Sequence, residues 1–183
     1  MTGGKSMTNN KLLDELILKI KEGDTKALSE LYNLTKTDIF AFAFSIVKNY
    51  HDAEDILQNT YITIHNNSYM YIHSKNAKSW IFTIVRNLSL MKIRNNKKEI
   101  SITHEDLEAI SKEHKEFNHD DEIILEYFLN ELDIEERNII VMYNLNGFKH
   151  KEIATLLNLP LGTVLSKYNR SIKKLKSFMK EAE

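Results

Sequence analysis

The stretch LGTVLSKYNRSIKKLK, residues 161–176, carries five basic side chains and no acidic one. From this stretch onward, apolar residues recur at intervals of four, four, three and four positions, which indicates a helix with one buried face. These residues are Val164, Tyr168, Ile172, Leu175 and Met179. The polar side chains then occupy the remaining surface, where Lys can bind phosphates and Arg, Asn and Ser can also read base edges. A solvated lysine-rich face is the alternative that this helix alone leaves open.

Two parts of the chain lack acidic residues, although the net charge of the 183 residues is only −1. Residues 56–98 contain seven Lys and Arg and no Asp or Glu, and residues 160–180 contain six and none. Between them, residues 99–122 carry nine acids against two bases. Two basic surfaces on either side of an acidic segment predict that the protein contacts a polyanion at two places.

Three carboxylates precede the first acid-free stretch, within DAEDILQNTYITIH. Asp52, Glu54 and Asp55 suit the positive N-terminus of a helix, and they could also form an acidic protein-contact surface. Magnesium chemistry is a weaker interpretation than either of these. The absence of Cys excludes disulfides and thiolate ligands, and TGGKS at residues 2–6 lacks the upstream Gly of a phosphate-binding loop. We therefore expect no cofactor and no catalytic residue.

The elements that must position these side chains are helices, because the chain has one Pro, five Gly and mostly helical periodicity. An apolar stripe over residues 12–20 ends at Gly23, Asp24 caps the next helix, and a further apolar helix covers residues 39–47. The segment SWIFTIVRNLSLMKIR is predicted to bury Trp80, Ile84, Val85, Leu88 and Met91. No apolar run approaches the roughly 20 residues that span a bilayer, so we expect a cytoplasmic protein without membrane insertion.

The last part of the chain predicts a helix-turn-helix. A helix that ends near residues 146–147 is followed by HKEIATLLNL, a turn in which Asn158 is left-handed, and the basic helix. In that arrangement the second helix enters the major groove of DNA. The basic helix is therefore interpreted as a DNA-reading helix rather than a merely solvated one.

Three blocks of the sequence resemble a known family. DAEDILQNTYITI, SWIFTIVRNLSL and KEIATLLNLPLGTVLSKYNRSIKKLK, in this order, are similar to the signature blocks of the extracytoplasmic-function (ECF) sigma factors of bacterial RNA polymerase. The resemblance covers about residues 10–180 and implies an all-α fold of two small helical domains joined by a flexible acidic linker. Its expected boundaries are a tail at 1–9, sigma region two at 10–98, the linker at 99–122, and the region-four helix-turn-helix at 123–183.

The resemblance implies a transcription initiation specificity factor, not an enzyme. Such a protein binds the β′ clamp helices and β flap of core RNA polymerase, contacts promoter DNA, and has an anti-sigma factor as a further candidate partner. The implied polymerase-binding residues are Asp52, Glu54, Asp55, Gln58 and Asn59. Those implied for the −10 element are Asn76, Lys78, Arg86, Asn87, Leu90 and Arg94, beside a base-holding loop at residues 69–78. Those expected at the −35 element are Leu165, Ser166, Lys167, Asn169, Arg170, Lys173 and Lys174.

Some positions depart from the family pattern, and two other functions stay open. Lys149 stands where Ser or Thr usually caps the first helix of the helix-turn-helix, although Glu152 keeps the other half of a capping box. Leu165 occupies a position that is frequently basic. The first alternative is a stand-alone helix-turn-helix regulator that binds a palindrome as a dimer. The second is a metal-dependent nucleic-acid enzyme built on the carboxylates near residues 52–55.

Overall fold

The computed structural model describes residues 10–73, 76–100 and 131–181, with side chains described up to Asn96 and Ser177 in the last two ranges. Every regular element in these ranges is helical, which confirms the all-α prediction. The helices are α1 (Asn10–Lys21), α2 (Thr25–Val47), α3 (Tyr50–Asn67), α4 (Ala77–Ile100), α5 (Ile134–Ile140), α6 (His150–Leu157) and α7 (Leu161–Glu181). A 3₁₀ turn at Ser68–Met70 follows α3, and a π turn at Val141–Leu145 extends α5.

Local signals set the ends of the N-terminal helices. Gly23 follows α1 with φ of 91°, and the Asp24 carboxylate caps α2 by accepting a hydrogen bond from the Lys26 amide at 2.8 Å. Lys48 ends α2 in the left-handed conformation, and the side chain of Asn49 caps α3. The separate helix expected over residues 39–47 is wrong, because α2 runs without interruption from Thr25 to Val47.

Helices α1 to α4 bury one face each in a shared apolar core. Its largest fully buried side chains include Leu16, Ile17, Leu31, Ile39, Phe42, Ile64, Ile81 and Phe82. On α4, Val85 is buried and Trp80, Ile84 and Leu88 pack half-buried against the core, as predicted, whereas Met91 is 47% exposed. The buried face also includes Ile81, Phe82 and Ser89, so it is rotated from the predicted one. Phe82 packs on Phe42 of α2 at 5.3 Å and edge-to-face on Phe148 at 4.9 Å, so the buried face of α4 is set by the helices around it.

The C-terminal helices form the predicted helix-turn-helix. Asp133 caps α5, donating its amide to Glu136 Oε2 and accepting from the Glu136 amide in a capping box. Gly147 and Asn158 have φ of 65° and 56°, so both turns use the left-handed conformation. At α6 only the Lys149 amide is held by Glu152, at 2.7 Å, because a Lys side chain cannot accept the reciprocal bond.

The N-terminal part, helices α1 to α4, and the C-terminal part, helices α5 to α7, pack against each other. Arg137 is buried and donates from Nε to the Ser45 carbonyl at 2.9 Å, while the side chains of Ser45 and Asn138 hydrogen-bond at 3.0 Å. Burial lowers the pKa of Arg137. The predicted linker beyond residue 100, together with the first eight residues of the predicted second domain, lies outside the described residues. The described helices thus share one apolar core.

Candidate nucleic-acid and protein interfaces

Helix α4 presents an exposed row of side chains at helical spacing. Thr83, Asn87, Leu90 and Arg94 recur at intervals of four, three and four residues, and all four are exposed. Arg86 is half-buried at the edge of this row. The structure therefore places three residues predicted at the −10 element on one face, with the fourth, Arg86, beside them. Thr83 was missed by the sequence analysis, although its position four residues before Asn87 could have signalled it.

The loop before α4 exposes large apolar side chains. Tyr69, Met70 and Ile72 are 66%, 59% and 80% exposed, whereas Tyr71 between them is buried. The Tyr71 hydroxyl donates to the buried Asp14 carboxylate, and His73 Nδ1 lies 2.6 Å from the other oxygen of Asp14. A loop pinned at its buried residue holds the exposed ones outward, which suits stacking on an unpaired base. Residues 74 and 75 of this loop lie outside the described residues.

The start of α4 faces the C-terminal part. The Lys78 amine donates to the Asn146 carbonyl and lies 4.6 Å from the centre of the Phe148 ring. Burial lowers the pKa of Lys78, an effect that the nearby Asp38 and Glu152 oppose. Asn76 is exposed and lines a cleft of about 380 Å³ between α4 and α6. Lys78 and Asn76, both predicted to contact −10 DNA, therefore lie at the contact between the two helical parts.

The acidic residues of α3 are partly neutralised by α4. Lys92 contacts Asp52 and Asp55 at 3.1 Å each, and Asn96 donates to Asp52 at 2.9 Å. Hydrogen bonds to Asp52 and Asp55 raise the pKa of Lys92. The side chain of Asp55 is 59% exposed, whereas that of Asp52 is 17% exposed. Asp55 is thus the more accessible of these two carboxylates to a partner.

The other residues predicted for polymerase binding lie on the same helix. Gln58 and Asn59 are exposed, and Glu54 is half-buried. Within residues 10–73, 76–100 and 131–181, no group of three or more acidic or His side chains is arranged to hold a metal ion. The carboxylates of α3 therefore share a polar surface with Gln58 and Asn59.

The basic helix α7 has two polar sides. Leu165, Ser166, Asn169 and Lys173 are exposed on its outer side, opposite the buried Val164. Tyr168 packs inward on Tyr143 and His150, with ring centroids 4.8 and 4.9 Å away. Ser171 is also buried and bonds the Lys167 carbonyl, which adds a polar residue to the predicted apolar stripe. The side chain of Met179 lies outside the described side chains.

The other polar side of α7 meets the acidic start of α5. Lys167 contacts Asp133 at 2.9 Å and Glu135 at 3.1 Å, and its side chain is only 16% exposed. The hydrogen bond to Asp133 raises the pKa of Lys167. Desolvation would raise the pKa of Asp133, but hydrogen bonds from the Glu136 amide and Lys167 outweigh it and lower that pKa. Lys167 therefore does not lie on the outer side where the sequence analysis expected it.

Glu136 lies beneath two further basic residues of α7. Its side chain is 1% exposed and contacts Arg170 Nε at 3.1 Å and Lys174 Nζ at 2.8 Å. Arg170 remains 57% exposed and lies at the edge of the outer side, whereas Lys174 is turned towards α5. The acidic group Asp133, Glu135 and Glu136 was missed by the sequence analysis, because nothing in its local pattern shows that α7 packs over it.

Comparison with protein families identifies both helical parts. Residues 31–99 match the model described as "Sigma-70 region 2", and residues 123–175 match "Sigma-70, region 4". Similar curated proteins include the ECF RNA polymerase sigma factor SigM of Bacillus subtilis, which is 28% identical over 82% of this chain and 93% of its own length. SigW of the same organism is 21% identical over 93% of this chain and 98% of its length.

Two solved structures share the fold over most of the chain. CnrH in complex with the cytosolic domain of CnrY has a TM-score of 0.69 at 18% identity, and the match covers 94% of this chain and 99% of that one. The sigma factor RpoE of Bartonella quintana in complex with the anti-sigma factor NepR has a TM-score of 0.72 at 24% identity, covering 85% and 98%. No helix in the described ranges is both long and apolar enough to cross a membrane.

Proposed function

This chain belongs to the ECF sigma factors, and we propose from that premise how its surfaces bind polymerase and promoter. The protein binds core RNA polymerase and directs it to −10 and −35 promoter elements, as the paired region-two and region-four matches support. The observation that carries this function is the coexistence of both regions in one chain. A stand-alone helix-turn-helix regulator would need only the second of them.

The exposed row of α4 is our candidate for the −10 element. Asn87 and Arg94 offer hydrogen-bond donors, and Leu90 between them offers an apolar contact. The pinned loop with Tyr69, Met70 and Ile72 lies directly before α4 and can stack on a base taken out of the duplex. Together these surfaces suit melted or single-stranded DNA better than an intact duplex.

The outer side of α7 is our candidate for the −35 element. Asn169 and Arg170 can read base edges in the major groove, and Lys173 can bind phosphate. Lys167 and Lys174 face α5 and are therefore less suited to direct DNA contact than the sequence suggested. The main contacts with the −35 element thus fall to Leu165, Ser166, Asn169, Arg170 and Lys173.

The packed arrangement of the two helical parts is proposed as the state without polymerase. The −10 and −35 elements lie about 25 base pairs apart, or roughly 85 Å of B-DNA. A compact chain of this length is roughly 40 Å across, so it cannot reach both elements without separating its two parts. Separation would also free Lys78 and open the cleft that Asn76 lines.

Anti-sigma binding is consistent with this packed state. CnrH and RpoE, two solved structures that share the fold over 85% or more of this chain, are each in complex with a second protein. A TM-score near 0.7 over that length requires both helical parts to be placed similarly, because one part alone covers about half of the chain. We infer that an anti-sigma partner binds this packed state and keeps the promoter-reading faces from acting together. We place the protein in the cytoplasm because its polymerase partner acts there.

The test is transcription in vitro with core polymerase and a library of randomised promoters. The full chain should select two separated elements at the −10 and −35 positions, whereas core polymerase alone should select neither. Specific binding to a palindrome without polymerase would instead support the stand-alone regulator. If the full chain binds core polymerase but selects no sequence at either element, the proposed promoter surfaces are contradicted.

A further inference from the structure

We propose that Glu136 is a positioning residue for promoter reading, which orients the Arg170 guanidinium towards −35 DNA. This inference rests on the proposed role of α7 at the −35 element. Glu136 lies on α5 and is not on the outer side of α7. It would therefore act through Arg170 and not by touching DNA itself.

The side chain of Glu136 is engaged at both oxygens. Oε1 meets Arg170 Nε at 3.1 Å, and Oε2 meets Lys174 Nζ at 2.8 Å. Oε2 also accepts a hydrogen bond from the Asp133 amide at 3.2 Å, which fixes the carboxylate to the start of α5. A carboxylate with 1% exposure is stable only when such partners compensate its lost hydration.

Holding Arg170 at Nε has a geometric consequence. The guanidinium is planar and carries five N–H donors in a fixed fork, so one directed contact restricts the plane of the whole group. The remaining nitrogens, Nη1 and Nη2, can form the paired contact that Arg makes with guanine O6 and N7. Because the side chain is still 57% exposed, the contact with Glu136 restrains Arg170 without removing it from the surface.

Restraining Arg170 in the free protein favours binding. A long Arg side chain on a helix surface samples many rotamers, and ordering it on DNA costs conformational entropy. A contact that already selects the DNA-facing rotamer lowers that cost before binding. The expected effect of Glu136 is therefore on base preference, through Arg170, and not only on the stability of α5.

The capping role of Glu136 can be separated from this positioning role. A Gln at the third helical position serves in a capping box as well as a Glu does, because its side-chain oxygen also accepts from the cap amide. Glu136→Gln therefore keeps the bond to the Asp133 amide through its one side-chain oxygen, while its NH₂ group, which is a donor, faces Arg170 Nε, so that Arg170 loses its acceptor. Lys174→Met is the matched control, since it removes the other basic partner of Glu136 and leaves Arg170 in place.

The experiment measures preference at each −35 position with a promoter library, full-length protein and core polymerase. Arg170→Ala should reduce preference at one position by about tenfold or more. Glu136→Gln should reduce preference at that same position by about three- to fivefold, while Lys174→Met leaves the profile unchanged. The double variant Glu136→Gln with Arg170→Ala should match Arg170→Ala alone, because Glu136 acts through Arg170.

The alternative outcomes are distinct. An equal loss of transcription from every promoter with Glu136→Gln, and an unaltered profile, would show a purely structural role and overturn the inference. A profile that changes with Arg170→Ala but not with Glu136→Gln would overturn it while leaving the proposed function intact. If Arg170→Ala changes no position, Arg170 is not a base reader, and both the −35 assignment and the inference fail.

Discussion

At the scale of single residues, charge pairing decides which predicted side chains are free to meet a partner. Asp52 and Asp55 share Lys92, but Asp55 is far more exposed than Asp52. Exposed ion pairs contribute only about 0.2–1 kcal/mol to stability, so Asp55 can exchange Lys92 for a basic group of a partner at little cost. Asp55 is therefore the best single site at which to test the predicted polymerase-binding surface.

Asp55→Lys should weaken binding to core polymerase by about tenfold or more. An acidic surface binds basic groups of its partner, and the new Lys would repel those groups. The free energy of unfolding should fall by less than about 1 kcal/mol, since the lost pair is largely exposed. Affinity for core polymerase can be measured by competition with a labelled sigma factor. The control is Lys92→Met, which breaks the same internal pair but leaves Asp55 charged; equal weakening by both variants would assign the effect to the pair.

At the scale of elements, short turns set the geometry of the helix-turn-helix. Asn158 ends α6 with φ of 56°, and the next residues lead directly into α7. A left-handed residue other than Gly costs roughly 1–2 kcal/mol unless its side chain is Asn or Asp. The angle between α6 and α7 therefore depends on one residue that tolerates this conformation.

Asn158→Ala should lower the free energy of unfolding by about 1 kcal/mol, whereas Asn158→Gly should change it by less than about 0.5 kcal/mol. Urea denaturation followed by circular dichroism measures both. Asn33→Ala is the matched control, because Asn33 is exposed within the helix α2, where Ala is preferred. An Asn158→Ala protein as stable as the Gly variant would show that the turn is not strained.

At the scale of the whole molecule, buried polar contacts hold the two helical parts together. Arg137 and Asn138 bond to Ser45, and Asn146 donates to the Asp38 carbonyl at 3.1 Å while its own carbonyl accepts from Lys78. Such bonds are directional, so they select one packing over others. They also contribute little net free energy each, which leaves the packing open to competition from polymerase.

We expect the two parts to separate when the protein binds core polymerase. The chain has no Cys, so Cys introduced at Glu30 and Ser177, both exposed, can carry a donor and an acceptor dye. Energy transfer should be high in the free protein and fall on addition of core polymerase. Adding free promoter DNA without polymerase is the control and should leave transfer high. Unchanged transfer in a complex that initiates transcription would contradict the opening.

The sequence by itself determined the features that depend on neighbouring residues. The ends of α1 and α6 follow from Gly23 and Asn158, and the start of α2 follows from Asp24, because a cap or a left-handed turn involves only a few successive residues. The all-α class, the helix-turn-helix and the family blocks could also be predicted, because each depends on patterns within short stretches of sequence. The domain boundaries and the individual site residues stay predictions.

Only the tertiary structure decided which faces are available. Helical periodicity gives the angular position of a side chain around the helix axis, but it does not say which other element packs against that side of the helix. Lys167 meets Asp133, and Lys78 meets Asn146 across 68 positions of sequence, so neither contact has a local signal. The same limit explains why Met91 was expected in the core. The side of α4 that is buried depends on how α1 to α3 pack against it, and Phe148 adds a contact at Phe82.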